Sequence, residues 1–190
     1  MSEKLLIVFE GIDNSGKTSL SKGVCENLDN FTWAKEPTFT TEEADRLNDQ
    51  NNKINEYERE LLFLESRIRR QPAYQNNNII LDRYLWTGMT YAEVFSPKVY
   101  EFSTYLYQNY NIFRKPDFTI FVDTPVEVCQ KREPILTIER LDKIRKAYLN
   151  NQKYVNTDIL TISGAGDLKR NIDIISNTIK DIIETKLSKS

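Results

Sequence analysis

The 190-residue sequence contains no histidine, only two cysteines and no apolar stretch of the length that crosses a membrane. The absence of histidine excludes imidazole acid–base catalysis, Ser-His triads and histidine metal sites. Cys25 and Cys129 lie far apart and have no paired spacing, so they indicate reduced core thiols rather than a disulfide framework or a zinc site. Any chemistry must therefore rest on carboxylates, cations and magnesium.

The sequence also lacks an excess of charge of either sign, because 26 basic and 28 acidic residues leave a formal net charge of -2. This balance gives no broad electrostatic surface for DNA, RNA or an anionic membrane, so we expect no nucleic-acid or membrane partner and only a local anion site. The chain runs from Met1 into an apolar segment without a secretory signal, which predicts a soluble cytoplasmic protein. Its length predicts one domain over residues 1–190.

The first motif joins an apolar run at residues 5–10 to a glycine-rich segment. Gly11 to Thr18 matches G-x-x-x-x-G-K-[ST] and precedes helix-compatible sequence, which is the order found in a phosphate-binding loop. Lys17 adds a positive charge, and Thr18 can offer its hydroxyl to a magnesium ion held between phosphates. The alternative is a glycine turn that merely joins a strand to a helix. The predicted nucleotide-binding residues of the loop are Gly11, Asn14, Ser15, Gly16, Lys17, Thr18 and Ser19.

Apolar runs alternate with helix-periodic segments along the whole chain. This order predicts an α/β fold, a five-stranded parallel sheet with helices on both faces. The predicted strands cover residues 5–10, 31–35, 78–81, 118–123 and 158–162, with helices at 17–28, 54–71, from 97, 124–132, 138–148 and 172–183, and a loop at 48–53.

Charged residues follow the second and third predicted strands, at the sheet edge where parallel α/β sheets bind ligands. Glu36 and Pro37 follow the second strand, either as site residues or because proline simply ends the strand. Asp82 and Arg83 follow the third strand and suggest magnesium and phosphate handling, with a surface ion pair as the alternative.

The helix predicted at residues 54–71 carries an apolar stripe, with Phe63 and Arg67 off that stripe and four residues apart. A ring beside a guanidinium suits a planar base, although spacing alone favours a packed Phe and a solvated Arg. Further along, Gly88 lies within one helical turn of Thr87 and Tyr91 and leaves room for a ligand. The predicted core stripe consists of Ile54, Tyr57, Leu61, Leu64 and Ile68.

Taken together, these motifs resemble the thymidylate kinase family of nucleoside-monophosphate kinases over most of the chain. The resemblance implies a magnesium- and ATP-dependent transfer to dTMP that gives dTDP and ADP, and it implies a homodimer, for which the aromatic helix after Pro97 is a candidate surface. It rests on residues 9–18, Glu36-Pro37, Leu62-Phe63 with Arg67, Asp82-Arg83-Tyr84 with Thr87, Gly88 and Tyr91, Pro116-Asp117, and Asp123 with Lys131-Arg132.

The resemblance also implies roles for individual residues. Phe63 would stack on the thymine, and Arg67 would bond its carbonyl. Pro37 would pack near the methyl group. The remaining implied roles are Asp13 on the sugar hydroxyl, Tyr91 favouring deoxyribose, Arg83 on the acceptor phosphate, Thr18 and Asp82 on magnesium, and the turn from Gly164 to Asp167 against the adenine.

The sequence departs from the family at position 14 and in the lid. Asn14 stands where one branch of the family has arginine and another has glycine, and the lid at residues 133–139 is short. We expect Arg132 or Arg140, which flank the lid, to supply the catalytic cation. The alternatives are that Arg132 stacks on the adenine and that Arg140 is a solvated helix residue.

Two other functions remain open at this point. A relative could act on deoxynucleosides or on a broader set of deoxynucleoside monophosphates, and a nucleotide-binding regulator could use the same loop without turnover. The presence of Lys17, Thr18, Asp82 and Arg83 argues against the regulator.

Overall fold

A computed structural model describes residues 4–50 and 52–188. Its centre is one five-stranded sheet in the order β2-β3-β1-β4-β5, and all neighbouring strands are parallel. The central strand is buried over its whole length, as expected of a strand covered on both faces. The strands are β1 (Leu6–Glu10), β2 (Phe31–Lys35), β3 (Asn78–Asp82), β4 (Phe118–Val122) and β5 (Ile159–Ile162).

Helices cover both faces of the sheet, which confirms the predicted fold class. On one face, Ile7 and Phe9 of β1 share an apolar cluster with residues of the first and last helices. On the other face, Leu6 and Val8 share a second apolar cluster with Tyr74 and Tyr84. The helices are α1 (Lys17–Glu26), α2 (Thr41–Asn48), α3 (Glu56–Tyr74), α4 (Leu85–Phe95), α5 (Pro97–Asn109), α6 (Val126–Arg132), α7 (Ile138–Asn151) and α8 (Leu168–Leu187), with a 3-10 turn at Gln152–Tyr154.

The order of the strands brings the two sequence motifs together. Arg83 N donates to Phe9 O at 2.9 Å, since β1 and β3 are neighbours. Strands β2 and β3 lie on one side of β1 in the sheet, and β4 and β5 lie on its other side. The strand order therefore reverses at β1, and parallel α/β sheets bind ligands at the carboxyl end of the strand where this happens.

Helix α2 was not predicted. It has no buried residue, so it carries no core-facing periodicity, and the first residues of its sequence instead form a capping box between Thr40 and Glu43. That T-x-x-E pattern was the available signal for the helix.

The apolar stripe predicted for α3 was only partly correct, because Leu64 is buried but two other members are not. Tyr57 and Ile68 are exposed by 46% and 37%. The buried face is rich in polar side chains, and hydrogen bonds offset the cost of removing them from water. Gln71 Nε2, for example, donates to Arg67 O at 2.8 Å, and Gln71 Oε1 accepts from the Tyr84 hydroxyl at 2.8 Å. The buried residues of α3 are Glu60, Leu62, Leu64, Ser66, Arg67, Gln71 and Tyr74.

Within the described residues, no helix combines the length and the apolar character needed to cross a membrane.

Candidate active site

The phosphate-binding loop lies between β1 and α1 and has the backbone that its glycines permit. Gly11 has a φ of 145°, and a Cβ there would lie 2.5 Å from Val122 O, so any larger residue would strain the loop. Helix α1 begins at Lys17, which places the positive end of its dipole at the loop. The loop opens on a cleft of about 800 Å³. The cleft is lined by residues 13–14 and 16–20, Lys35, Arg83, Arg132, Glu133, Gly164, Gly166, Leu168 and Asn171.

Lys17 is held inside the loop. Its Nζ donates to Ile12 O at 2.5 Å and to Ser15 Oγ at 3.3 Å. Burial, with a smaller contribution from the Arg83 charge, lowers the pKa of Lys17 to about 7. A phosphate bound in the loop would restore the ammonium form by supplying negative charge.

Thr18 and Asp82 meet at the end of β3, as the sequence predicted. Thr18 Oγ1 donates to Asp82 Oδ2 at 2.5 Å. Asp82 is fully buried, and its Oδ1 has no hydrogen-bond partner in the described part of the chain. A hydroxyl beside a buried carboxylate oxygen suits magnesium, which takes oxygen ligands and commonly completes its shell with phosphates and water. Residues 4–50 and 52–188 contain no group of three or more acidic or cysteine side chains that could hold a metal alone.

Arg83, Asp13 and Tyr91 form a hydrogen-bonded triad on one wall of the cleft. Arg83 pairs with Asp13 Oδ1, and the Tyr91 hydroxyl donates to Asp13 Oδ2 at 2.5 Å. Burial acts to raise the pKa of Asp13, but the Arg83 charge and the Tyr91 hydrogen bond outweigh it, so the pKa is lowered. The triad therefore presents a guanidinium and an ionised carboxylate side by side.

Phe63 and Arg67 lie where α3 passes α4. Arg67 is only 2% exposed, so the solvated-Arg alternative is wrong. Its Nη1 donates to Phe63 O at 3.2 Å. The half-buried Phe63 ring lies 5.4 Å from the ring of Phe39, and Pro37 is also half-buried.

Thr87 and Gly88, two of the predicted substrate-binding residues, have close neighbours within the protein. Thr87 is buried and hydrogen-bonds Glu10 and the Tyr148 hydroxyl, the latter at 2.6 Å. The space beside Gly88 is taken by the guanidinium of Arg67, since a Cβ at position 88 would lie 3.0 Å from Arg67 Nη1. Neither residue lines the cleft around the phosphate-binding loop.

Glu36 also lies beneath the surface rather than in the open cleft. It is fully buried, accepts a hydrogen bond from the Tyr74 hydroxyl, and its Oε2 has no partner among the described residues. Its backbone N–H donates to Asp82 O at 2.9 Å, which ties the end of β2 to the end of β3.

The two lid arginines occupy different places. Arg132 reaches the cleft, where Nη1 donates to Asn14 O at 2.9 Å and Nη2 donates to Gly164 O at 2.6 Å. Arg140 pairs with Glu56 at 3.5 Å, and its guanidinium lies 4.5 Å from the ring centre of Phe95. The structure therefore brings Arg132 to the phosphate-binding loop and does not bring Arg140 there.

Gly164 forms part of the support of the loop. A Cβ there would lie 1.9 Å from Ser15 O, and Thr124 Oγ1 donates to the same oxygen at 2.8 Å. Together with Gly166 it lines the cleft. Of the other predicted residues, Asn14 donates from Nδ2 to Glu133 O at 3.3 Å, and Ser19 lines the cleft.

Sequence reasoning missed the buried groups behind the site. The carboxylate of Glu10 accepts from Tyr84 N at 3.0 Å and from Thr87 N at 3.1 Å, and the Tyr148 hydroxyl donates to Gly11 O at 2.8 Å. Glu10 ends a buried apolar strand, and an acidic residue at that position was the available signal. Tyr148 had no signal beyond an ordinary core position in α7.

Comparison with known proteins agrees with this geometry. The thymidylate kinase family model matches residues 9–172. A thymidylate kinase of Ligilactobacillus salivarius is 31% identical over 204 residues, covering 90% of this chain and 95% of that protein. The thymidylate kinase of Dictyostelium discoideum is 26% identical over 205 residues, covering 97% of this chain and 87% of that protein.

Solved structures share the fold. A thymidylate kinase from Candida albicans superposes with a TM-score of 0.73 at 21% identity, covering 100% of this chain and 95% of its own. A deoxyadenosine kinase from M. mycoides superposes with a TM-score of 0.72 at 19% identity, covering 93% of this chain and 98% of its own. The family match spans the phosphate-binding loop, the Asp82-Arg83 strand end and the lid, so this chain belongs to the thymidylate kinase family.

Proposed function

We propose that this protein transfers the γ-phosphoryl group of ATP to the 5′-phosphate of dTMP, giving dTDP and ADP. The observation that carries the proposal is the shared cleft, in which Lys17 of the phosphate-binding loop and Arg83 at the end of β3 face the same space. Two cationic groups in one cleft suit two phosphate-bearing substrates. Membership of the thymidylate kinase family supports the same reaction.

The donor side is the phosphate-binding loop. Lys17 and the N-terminus of α1 would hold the β- and γ-phosphates, with Gly164 and Gly166 bordering the adenosine. Thr18 and the unpartnered oxygen of Asp82 would hold magnesium, which neutralises charge on the phosphates. The acceptor phosphate is already an anion, so no strong general base is required, in keeping with a chain that lacks histidine.

The acceptor side is the triad. Arg83 would exchange part of its pairing with Asp13 for the 5′-phosphate, and Asp13 would then accept from the sugar hydroxyl. Tyr91, fixed by its bond to Asp13, would stand against the sugar and favour deoxyribose. Phe63 would stack on the thymine, Arg67 would donate to a thymine carbonyl, and Pro37 would pack near the methyl group.

We also propose that residues 133–139 act as a short lid on a single domain formed by residues 1–190. Arg132 already joins the loop at Asn14 to the turn at Gly164, so it is the candidate for the catalytic cation. Asn14, Ser15 and Ser19 would contribute to nucleotide binding as part of the phosphate-binding loop.

The homodimer and the cytoplasmic location stay predictions. The exposed rings of Phe102 and Tyr105 on α5, 49% and 53% accessible, support a partner surface there. A concentration series in light scattering tests the dimer, and variants at these two rings test the surface.

The function is tested by product formation from Mg-ATP and a panel of thymidine, dTMP, dUMP and dCMP, with the Lys17→Ala variant as the blank. We expect dTDP from dTMP. Turnover of thymidine would identify a deoxynucleoside kinase, comparable rates on all three monophosphates would identify a broader enzyme, and binding without product would identify a regulator.

Two variants test the base site. A stacked ring and a hydrogen bond from a charged donor each contribute about 1–3 kcal/mol, so Phe63→Ala and Arg67→Ala should raise the KM for dTMP roughly 5- to 150-fold. The KM for ATP should change little. Equal effects on both substrates would instead support a packing role for these residues.

A further inference from the structure

Helices α3, α4 and α5 meet at Gly88. A Cβ at this position would lie 3.0 Å from Arg67 Nη1 and 3.4 Å from the hydroxyl oxygen of Tyr107. The glycine therefore allows a guanidinium from α3 and a phenol from α5 to approach the same point on α4.

Both groups are buried hydrogen-bond donors with unused capacity. Arg67 has five N–H bonds, one of which is used by Nη1 toward Phe63 O, and its buried Nε has no partner. The buried hydroxyl of Tyr107 has no hydrogen-bond partner in residues 4–50 and 52–188. Unsatisfied buried donors are rare because each carries a desolvation cost, so two beside one point call for an acceptor from outside the chain.

The position of the pair along α4 indicates which part of a ligand would supply the acceptor. Gly88 precedes Tyr91 by three residues, which is about 4.5 Å along a helix axis. Tyr91 contacts Asp13 in the triad proposed to hold the acceptor phosphate and sugar. The next group of a bound nucleotide beyond its sugar is the base.

We propose that Tyr107 is a specificity-determining residue, whose hydroxyl joins Arg67 in donating to one carbonyl oxygen of the acceptor base. This inference rests on the proposed function and adds a residue from α5 to its base site. A 4-oxopyrimidine such as thymine or uracil offers that acceptor. A 4-aminopyrimidine such as cytosine presents a donor amino group there, and it would leave both protein donors without a partner.

The surroundings of Tyr107 keep its hydroxyl a donor. Burial raises the pKa of Tyr107 to about 12, although the Arg67 charge lowers it, so the phenol stays protonated at neutral pH. Its ring packs edge-on against Phe113, with centroids 4.7 Å apart and an interplanar angle of 70°. A Tyr107→Phe substitution should therefore remove the donor and keep the packing.

The test compares Tyr107→Phe with Tyr57→Phe, a matched control at a 46% exposed position on α3. Binding of dTMP, dUMP and dCMP is measured by calorimetry without ATP, and KM and kcat are measured for all substrates with Mg-ATP. We expect Tyr107→Phe to weaken dTMP and dUMP about fivefold, the effect of one hydrogen bond, with dCMP and ATP unchanged. The preference for 4-oxo over 4-amino bases should fall by the same factor.

A thermal melt of the ligand-free protein separates this role from packing. Removing an unsatisfied buried hydroxyl should leave the midpoint unchanged or raise it, while the shift produced by dTMP should shrink. If Tyr107→Phe lowers the ligand-free midpoint and leaves dTMP affinity intact, the hydroxyl serves the fold and the inference is overturned. Equal losses for dTMP and dCMP would overturn it as well.

Gly88→Ala provides a second variant if Tyr107→Phe does not fold. The new methyl must displace the Arg67 guanidinium by a few tenths of an ångström and would lie in contact with the Tyr107 hydroxyl, between the two donors, so the same selective loss of 4-oxo nucleotides is expected. Unchanged dTMP affinity in that variant would contradict the inference. If the parent protein binds dTMP but does not phosphorylate it, the proposed function is wrong. The inference about Tyr107 is still tested in that case, because calorimetry compares the binding of the bases without turnover.

Discussion

Glu36 offers a direct test of the buried polar face, because its carboxyl group has almost no access to water. The side chain is fully buried at the end of β2, where Oε1 accepts from the Tyr74 hydroxyl. Burial raises the pKa of Glu36 from 4.5 to about 7, although the charges of Arg67 and Arg70 lower it. The folded protein therefore binds this proton more tightly than the unfolded chain does.

The sign and size of the effect on stability follow from that difference. The stabilisation is fully present below pH 4.5 and is lost as the pH rises to about 7. A pKa difference of this size corresponds to about 3 kcal/mol in the free energy of unfolding. No histidine titrates in this window, and the titration of Lys17, whose pKa is about 7, is common to the parent and the variants and cancels from their difference.

The experiment is urea unfolding of the parent, Glu36→Gln and Glu65→Gln without nucleotides at several pH values between 4.5 and 8. Glutamine keeps the size of the side chain and cannot ionise, and Glu65→Gln controls for the loss of one acidic group on the exposed side of α3. Relative to the parent, Glu36→Gln should gain about 3 kcal/mol between the two ends of the range. If the difference between parent and Glu36→Gln stays constant with pH, folding does not raise the pKa of Glu36 and the reasoning from burial is refuted.

Three predictions concern the reaction itself. Lys17→Ala should lower kcat on the order of a thousandfold without changing the circular-dichroism spectrum. Turnover close to that of the parent would contradict the assignment of the phosphate-binding loop. Asp82→Asn should raise the magnesium concentration for half-maximal rate roughly 10- to 100-fold, and an unchanged magnesium titration would leave Asp82 as a hydrogen-bond partner of Thr18 only. Arg132→Ala should slow the single-turnover chemical step on the order of 10³-fold, whereas Arg140→Ala should not. If Arg132→Ala has no effect, the positive charge that stabilises the transition state comes from Lys17, magnesium and the acceptor site.

The sheet could be predicted because its information is local. Each strand is a short apolar run, and the strand boundaries differ from the predicted ones by one residue at most. The positions of Lys17, Thr18, Asp82 and Arg83 followed equally well, since a residue just beyond a parallel strand must lie at the carboxyl edge of the sheet.

The interior of α3 could not be predicted in the same way. An apolar periodicity assumes that a helix buries apolar side chains, but α3 also buries Glu60, Arg67 and Gln71, whose polar groups bond largely within the helix itself. Gln71 Oε1 in addition accepts from the Tyr84 hydroxyl and from Arg114 N, partners that only the tertiary fold supplies. Apolar periodicity records none of this, so the sequence alone made Tyr57 and Ile68 look like core residues. The contact between Tyr107 and Gly88 is likewise a product of packing between helices.

The distribution of unsatisfied buried groups links stability to function. Asp82 Oδ1, Glu36 Oε2, Arg67 Nε and the Tyr107 hydroxyl all lack partners in the described chain, and all belong to the side of the molecule that runs from the end of β3 to the base site. Other unsatisfied buried groups lie elsewhere: Arg70 Nε on α3, the hydroxyls of Thr90 on α4 and Thr104 on α5, and the hydroxyl of Ser176 on α8. A fold selected for stability alone would satisfy or remove such groups, because each costs about 1–3 kcal/mol. The groups of Asp82, Arg67 and Tyr107 are accounted for if magnesium and the acceptor base supply the missing partners, so that part of the binding free energy comes from satisfying donors and acceptors that the ligand-free protein leaves unpaired.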